Sequence, residues 1–368
     1  MARDTVGAIV DEAGGRIIVE AIDVDPPQAG EVQVRMIASG VCHSDLWARD
    51  NGNWGTPFPL LLGHEGAGIV EEIGDGVDDL RVGDPVVLSW AVPCGHCRTC
   101  LRGQPRRCSH AWTQPSRLRR ARDGAPLFGV LACGTLATRT VVHAAQAIPL
   151  PPEIPLDRAC LLGCGVSTGV GAAIQTAKVW PGASVAVIGL GGIGLAAMQG
   201  AKIAGAERLI GVDIAANKLE WAERFGATDV VDASSADPVS AVRELTHGEG
   251  VDVAFEATGI PVCVRQAVEM LAYAGTAVAI GVPPVPSELV LPWNGSDHAA
   301  YPHKASLLIT DGGDPIPAED FPEMARWYLD GRLDLDGMVT RRLGLEDLDE
   351  AFRAMLAGEV IRSVVMFD

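Results

Sequence analysis

Short apolar alternations open the chain. Ala8-Ile-Val, Gly15-Arg-Ile-Ile-Val and Val32-Gln-Val-Arg-Met-Ile are interrupted by Gly, Pro and Asp. Period-two apolar runs bounded by turn residues predict antiparallel strands. The same pattern predicts strands over 67–73, 85–88 and 138–142, and no helical period of any length arises before Pro155. This half reads as a compact, partly closed β-barrel.

After Pro149-Leu-Pro-Pro-Glu-Ile-Pro155 the period changes. Ser184-Val-Ala-Val-Ile-Gly189 is a buried-strand run, and a helical stretch through Leu195-Ala-Ala-Met-Gln follows it. Further helices are predicted over 217–225, 238–246 and 262–273, alternating with strands over 208–213, 229–231, 251–255 and 276–281. Such alternation predicts a doubly wound parallel sheet, so the chain is of the α/β class. Ser287-Glu-Leu-Val-Leu-Pro292 is extended, and is expected to be an edge strand pairing with its copy in a second subunit. Helices near 321–329 and 345–356 and a strand over 362–367 follow.

The 368 residues suffice for two domains, and 48% are apolar. A formal charge of −18 argues against nucleic acid or anionic membrane as a partner, because both demand a basic face. No run of eighteen apolar residues exists and Met1-Ala-Arg-Asp does not begin a signal peptide, so a cytoplasmic location is expected. Nine cysteines in such a chain point to metal or reactive thiols rather than disulfides.

Cys94-x-x-Cys97-x-x-Cys100-x7-Cys108 is the spacing of a closed tetrahedral zinc site on a lobe over 90–112. With no open coordination position this zinc is expected to be structural, and Arg98, Arg102, Arg106 and Arg107 can offset its thiolate charge. Cys42 in Gly40-Val-Cys-His-Ser-Asp45, His64 in Gly63-His-Glu-Gly-Ala-Gly68, and distant Cys164 supply two thiolates and an imidazole. That is the ligand set of a catalytic zinc with one position open. Cys133, Cys160 and Cys263 read as small buried hydrophobes. Arg117, Arg119, Arg120 and Arg122 form a basic cluster that either meets an anionic group or a subunit's acidic face, or lies on a solvated loop.

Gly189-Leu-Gly191-Gly192-Ile193-Gly194 stands between a predicted strand and helix, the context a dinucleotide fingerprint requires. Asp213 ends the next strand, where a carboxylate accepts from ribose hydroxyls and repels a 2′-phosphate. No arginine follows in Ile214-Ala-Ala-Asn-Lys218, so the expected cofactor is NAD rather than NADP.

In this order, Cys42, His64-Glu65, the four-cysteine lobe, Cys164, the glycine loop and Asp213 resemble the zinc-dependent medium-chain alcohol dehydrogenases, over nearly the whole chain. Within that family the chain is similar to class I and class III alcohol dehydrogenases and to mycothiol-dependent formaldehyde dehydrogenases. The resemblance implies a GroES-like catalytic domain over 1–165 and 306–368, with a Rossmann NAD-binding domain over 166–305 inserted. It implies two zinc ions per chain and leans towards a homodimer.

Residue by residue, the resemblance gives Cys42, His64 and Cys164 as catalytic zinc ligands and Asp45 as the carboxylate orienting His64. Glu65 is the glutamate beneath the metal, and Ser44 the hydroxyl that takes the substrate's proton. His43 and Arg362 correspond to pyrophosphate contacts, Thr168 and Ile193 to nicotinamide braces, and Asp213 and Lys218 to ribose contacts; Ile280 joins the cofactor-binding residues. Trp90 falls on a cleft aromatic, and Trp47, Leu131 and Trp54 are further candidate pocket walls. One departure stands out: Trp47 replaces the histidine with which many class I enzymes finish the proton relay. The implied activity is reversible hydride transfer between a primary alcohol or its aldehyde and NAD. Oxidation of an S-hydroxymethyl adduct of a low-molecular-weight thiol competes with it, and a non-catalytic scaffold is the third reading.

Overall fold

The computed structural model describes residues 5–52, 56–108, 117–295 and 298–367. Candidate pocket residue Trp54 lies outside them. The chain divides into two compact units, Met1–Cys164 with Ile316–Asp368, and Gly165–Pro315. Among the described residues no single helix is long and apolar enough to cross a membrane.

In the discontinuous unit, Val6–Val10, Ile18–Val24, Leu118–Arg120, Pro126–Gly129 and Leu60–Leu61 close a small barrel. A seven-stranded sheet is centred on Glu31–Gly40, in which Val32, Val34, Met36 and Ala38 are fully buried at alternate positions. One edge of this strand pairs with Glu65–Ile73. The other is shared: Arg139–His143 takes its first half and Arg362–Met366 its second. The returning C-terminal strand is thereby built into the sheet that carries the first half's strands.

Between Gly40 and the barrel lies a helix, His43–Asn51, where no helix was expected. It is only nine residues long and mostly polar, so it has no apolar period to read. Cys42 is its N-cap, and Asp45 at the third helical position accepts from the Cys42 N–H at 3.3 Å. Leu46 and Ala48 are its buried apolar side.

The second unit is a six-stranded parallel sheet in the order Asp229–Asp232, Arg208–Asp213, Ser184–Ile188, Val251–Glu256, Leu271–Ala279, Ser306–Ile309. Helices Gly192–Ile203, Ala216–Arg224, Pro238–Leu245 and Pro261–Glu269 connect its strands. Two expectations are corrected here. The helix predicted over 262–273 stops at Glu269, and a strand already runs from Leu271. Ser287–Pro292 forms no strand, and the sheet's edge is Ser306–Ile309 instead. Proline brackets the former stretch at Pro286 and Pro292, and among the described residues of the chain it pairs with no strand.

The basic cluster is internally neutralised. Arg117 binds Glu31, Arg119 binds Asp25, and Arg120 and Arg122 share Asp11 and Glu20.

Candidate active site

Strand register brings the first ligands together. Gly40 and Glu65 are direct cross-strand partners, so Cys42, two residues past one strand, lies beside His64, just before the other. Gly40 tolerates no side chain: an added Cβ would stand 2.1 Å from Glu65 Oε2. The turn Cys160–Gly163 delivers Cys164, because Gly163 packs flush on the sheet, where a Cβ would stand 2.8 Å from the Leu88 carbonyl. The potential ligand atoms of Cys42, His64, Glu65 and Cys164 all fall within 4.8 Å of one another, and all four residues are buried.

His64 and Asp45 are fully buried and 3.1 Å apart, His64 Nδ1 to Asp45 Oδ1. A carboxylate can only accept, so Nδ1 carries a proton and Nε2 is the nitrogen left to a metal. That Nε2 is buried without a hydrogen-bond partner. Asp45 Oδ1 also accepts from Gly63 N–H at 2.9 Å, which fixes the approach to His64.

A hydrogen bond from the Cys164 thiol pulls the Cys42 pKa well below the usual thiol value, against the effect of burial. The same bond, together with burial, raises that of Cys164. Burial disfavours a charged His64, yet the Asp45 carboxylate and the Cys42 sulfur hold its pKa well above normal. An orphaned imidazole nitrogen beside an acidified thiol fits a divalent metal held by Cys42, His64 and Cys164.

Glu65 is fully buried, and burial pushes its carboxyl up to about 7 against the opposing field of Arg362. The Arg362 guanidinium, itself 7% exposed, donates to Glu65 Oε2, and its Nε is unpartnered. Ser44 Oγ stands 3.7 Å from Cys42 Sγ. His43 is exposed on the helix's first turn; Trp47, Trp90 and Leu131 are half-buried. Leu131 has the left-handed φ of 51°, a strained conformation for a bulky side chain.

Cys94, Cys97, Cys100 and Cys108 also lie within 4.8 Å of one another. Backbone N–H groups of Cys97 and Cys94 donate to the sulfurs of Cys94 and Cys108 at 3.3 and 3.4 Å, stabilising thiolates. Thr99 lies 3.0 Å from Cys97 Sγ and chiefly accounts for a pKa lowered to about 5, whereas burial lifts Cys100 to about 12. Arg106, read as a counter-charge to these thiolates, pairs with Asp320 at 2.5 Å, on the helix Pro317–Leu329. Cys133 and Cys160 are buried and belong to neither cluster, and burial pushes Cys133 up to about 12.

In the second unit, Gly191 caps the helix Gly192–Ile203 with no side-chain partner for its first N–H groups. A Cβ on Gly194 would stand 1.9 Å from the Gly189 carbonyl, which explains that glycine by packing alone. No described atom lies within 4 Å of a Cβ on Gly191, so its glycine serves the space in front of the helix. That open, donor-rich N-terminus fits a pyrophosphate. Asp213 is buried and accepts from Leu190, Ile214 and Ala215 N–H groups at 2.8–3.0 Å, and Lys218 Nζ lies 3.8 Å from it. Thr168 and Ile193 sit on helices packed at Gly169, where a Cβ would meet the Ile193 carbonyl at 2.4 Å; Ile280 is buried.

A GroES-like unit bearing two sulfur-rich clusters and, in the same chain, a doubly wound unit with a glycine loop define a zinc-binding dehydrogenase. Residues 28–152 match the alcohol dehydrogenase GroES-like domain, and residues 192–330 match the zinc-binding dehydrogenase family. The chain is 37% identical to the class-3 alcohol dehydrogenase of Cereibacter sphaeroides, over 99% of this chain and 100% of that one. It is 35% identical to the S-(hydroxymethyl)glutathione dehydrogenase of Paracoccus denitrificans, with the same coverage. Benzyl alcohol dehydrogenase from Acinetobacter calcoaceticus superposes with a TM-score of 0.90 at 31% identity, covering 100% of both chains. This chain belongs to the zinc-dependent medium-chain alcohol dehydrogenase family and is an oxidoreductase.

Proposed function

We propose that the protein oxidises a primary alcohol to its aldehyde, reversibly, with NAD as hydride acceptor. The observation that carries this is the partnerless His64 Nε2, buried among the sulfurs of Cys42 and Cys164. The discontinuous unit is the catalytic one and the Gly165–Pro315 unit binds NAD. When bound, zinc supplies Lewis acidity that acidifies an alcohol, and NAD takes up the hydride.

The chain's own residues do the rest. Cys42, Cys164 and His64 hold the metal, and Asp45 keeps the His64 proton on Nδ1. Ser44 Oγ, beside Cys42, accepts the substrate's hydroxyl proton. Trp47 has an indole donor and no acceptor, so the proton leaves Ser44 without help from that position. Glu65 is held against Arg362 at the base of the cluster. Gly191 and the following N–H groups receive the pyrophosphate, Asp213 and Lys218 the adenosine ribose, and Thr168, Ile193 and Ile280 border the nicotinamide. Cys94, Cys97, Cys100 and Cys108 hold a second, structural zinc.

Benzyl alcohol dehydrogenase among the relatives, with Trp47 and Trp90 among the candidate pocket residues, supports aromatic alcohols as substrates. The relative acting on S-(hydroxymethyl)glutathione supports a second reading, oxidation of a formaldehyde–thiol adduct. An alcohol panel with NAD, and formaldehyde with and without glutathione or mycothiol, separates them. Turnover of benzyl alcohol without thiol supports the first reading; NADH production only when formaldehyde and thiol are both present supports the second. The protein acts in the cytoplasm as a homodimer joined through the Ser306–Ile309 edge, where Ile309 is 81% exposed. Light scattering giving a monomer mass would refute that assembly.

A further inference from the structure

We propose that Glu256 is a positioning residue for the dinucleotide, holding the Thr258–Gly259 turn as one wall of the cofactor crevice. The inference rests on the NAD-binding reading above. Glu256 ends the strand Val251–Glu256, and its register partner is Ile188, the residue before Gly189. Strand order reverses between these two strands, which is where ligands bind in doubly wound sheets.

Glu256 is fully buried. Its Oε1 accepts from the N–H groups of Thr258 at 2.6 Å and Gly259 at 2.9 Å, and also from the Thr258 hydroxyl. Three donors on one oxygen define the turn. Packing leaves it no slack: a Cβ on Gly189 would stand 2.5 Å from the Thr258 methyl, and one on Gly281 would stand 2.0 Å from Gly259 N. The turn is therefore clasped between the first glycine of the fingerprint and the residue after Ile280.

Oε2 of the same carboxylate is buried without a partner. An apolar side chain at the end of a core strand would avoid the cost of desolvating a carboxylate. Glu256 is explained by the turn it shapes.

The test is a titration of the full-length, zinc-loaded protein with NAD, followed by tryptophan fluorescence, beside steady-state kinetics. Glu256→Ala should raise the NAD Kd about tenfold or more, leaving kcat at saturating NAD within about twofold. Glu256→Gln keeps an acceptor oxygen and should restore Kd to within about threefold of the parent. A folded Glu256→Ala protein with the parent's Kd would overturn the proposal, as would loss of kcat at unchanged Kd. Should Glu256→Ala fail to fold, Gly259→Ala decides, since its Cβ would stand 2.3 Å from the Val282 carbonyl and displace the turn. An unchanged Kd there also overturns the proposal. A parent protein that does not bind NAD fails on the functional reading itself, a result distinct from any of these.

Discussion

Asp45 serves His64 and the helix that follows Cys42 at once. One carboxylate oxygen lies 3.1 Å from His64 Nδ1, and the other accepts from Cys42 N–H at 3.3 Å. The carboxylate thus sets the imidazole's tautomer and the backbone angle of the neighbouring thiol. Asp45→Ala should cut zinc affinity at this site about 10- to 100-fold, the effect usual for the orienting partner of a ligand histidine. Competition with a chelator would measure it, and an unchanged affinity would remove Asp45 from the metal site.

Cys42→Ser and His64→Ala should abolish alcohol oxidation while NAD still binds, since the glycine loop and Asp213 belong to a separate compact unit. Zinc content should fall from two to one per chain. Turnover retained with a single zinc would refute the ligand assignment.

The four-cysteine lobe and the helix Pro317–Leu329 are tied by Arg106 and Asp320. Cys97→Ser should lower the melting temperature by several degrees through loss of the metal. Arg106→Ala leaves Asp320, 4% exposed, without this charged partner and should cost about 1.5–3 kcal/mol. Because the lobe and the ion pair share one contact, the double variant should destabilise by less than the sum. Strict additivity in denaturant melts would show that they act independently.

Asp157 predicts part of the acid stability. Burial raises its pKa, but hydrogen bonds from Arg158 and Arg342 outweigh that and hold it below the ordinary 3.8. A carboxyl lowered in the folded state adds stability above its unfolded pKa and loses it as pH falls through the folded one. Asp157→Asn should therefore destabilise at pH 7 by about 1–3 kcal/mol and approach the parent as pH falls from 3.8 through the lowered folded value. A loss that stays the same over that fall in pH would contradict this.

Asp213 predicts the cofactor preference. Asp213→Ser keeps a short polar acceptor and removes the charge, so the ratio of kcat/KM for NAD over NADP should fall about tenfold or more, about 1.4 kcal/mol. A ratio unmoved would place the discrimination elsewhere.

Residues with unusual chemistry were the legible part. Cysteines at fixed spacing, a glycine loop between strand and helix, and an acidic residue at the next strand's end each have a local signature. Asp45 needed the resemblance, because its helix is too short and polar to declare itself. Within Leu271–Ala279 the end was read as a strand from Thr276, but its start hid because Leu271 and Ala272 are good helix formers, and only pairing with Val251–Glu256 makes them a strand. The positions of Glu256 and Arg362 were equally silent. Nothing near either residue in sequence indicates that one would shape a turn beside the glycine loop and the other would meet Glu65, 297 positions away.

The strand Arg362–Met366 also orders events in time. Emerging from a ribosome, the chain exposes Cys42, His64 and Cys164 long before the strand that completes their sheet exists. Until it arrives, Glu65 lacks its guanidinium neighbour and one edge of Glu31–Gly40 is half uncovered. The Gly165–Pro315 unit, contiguous in sequence, is free to mature during translation, whereas the metal-bearing unit must wait for its last strand.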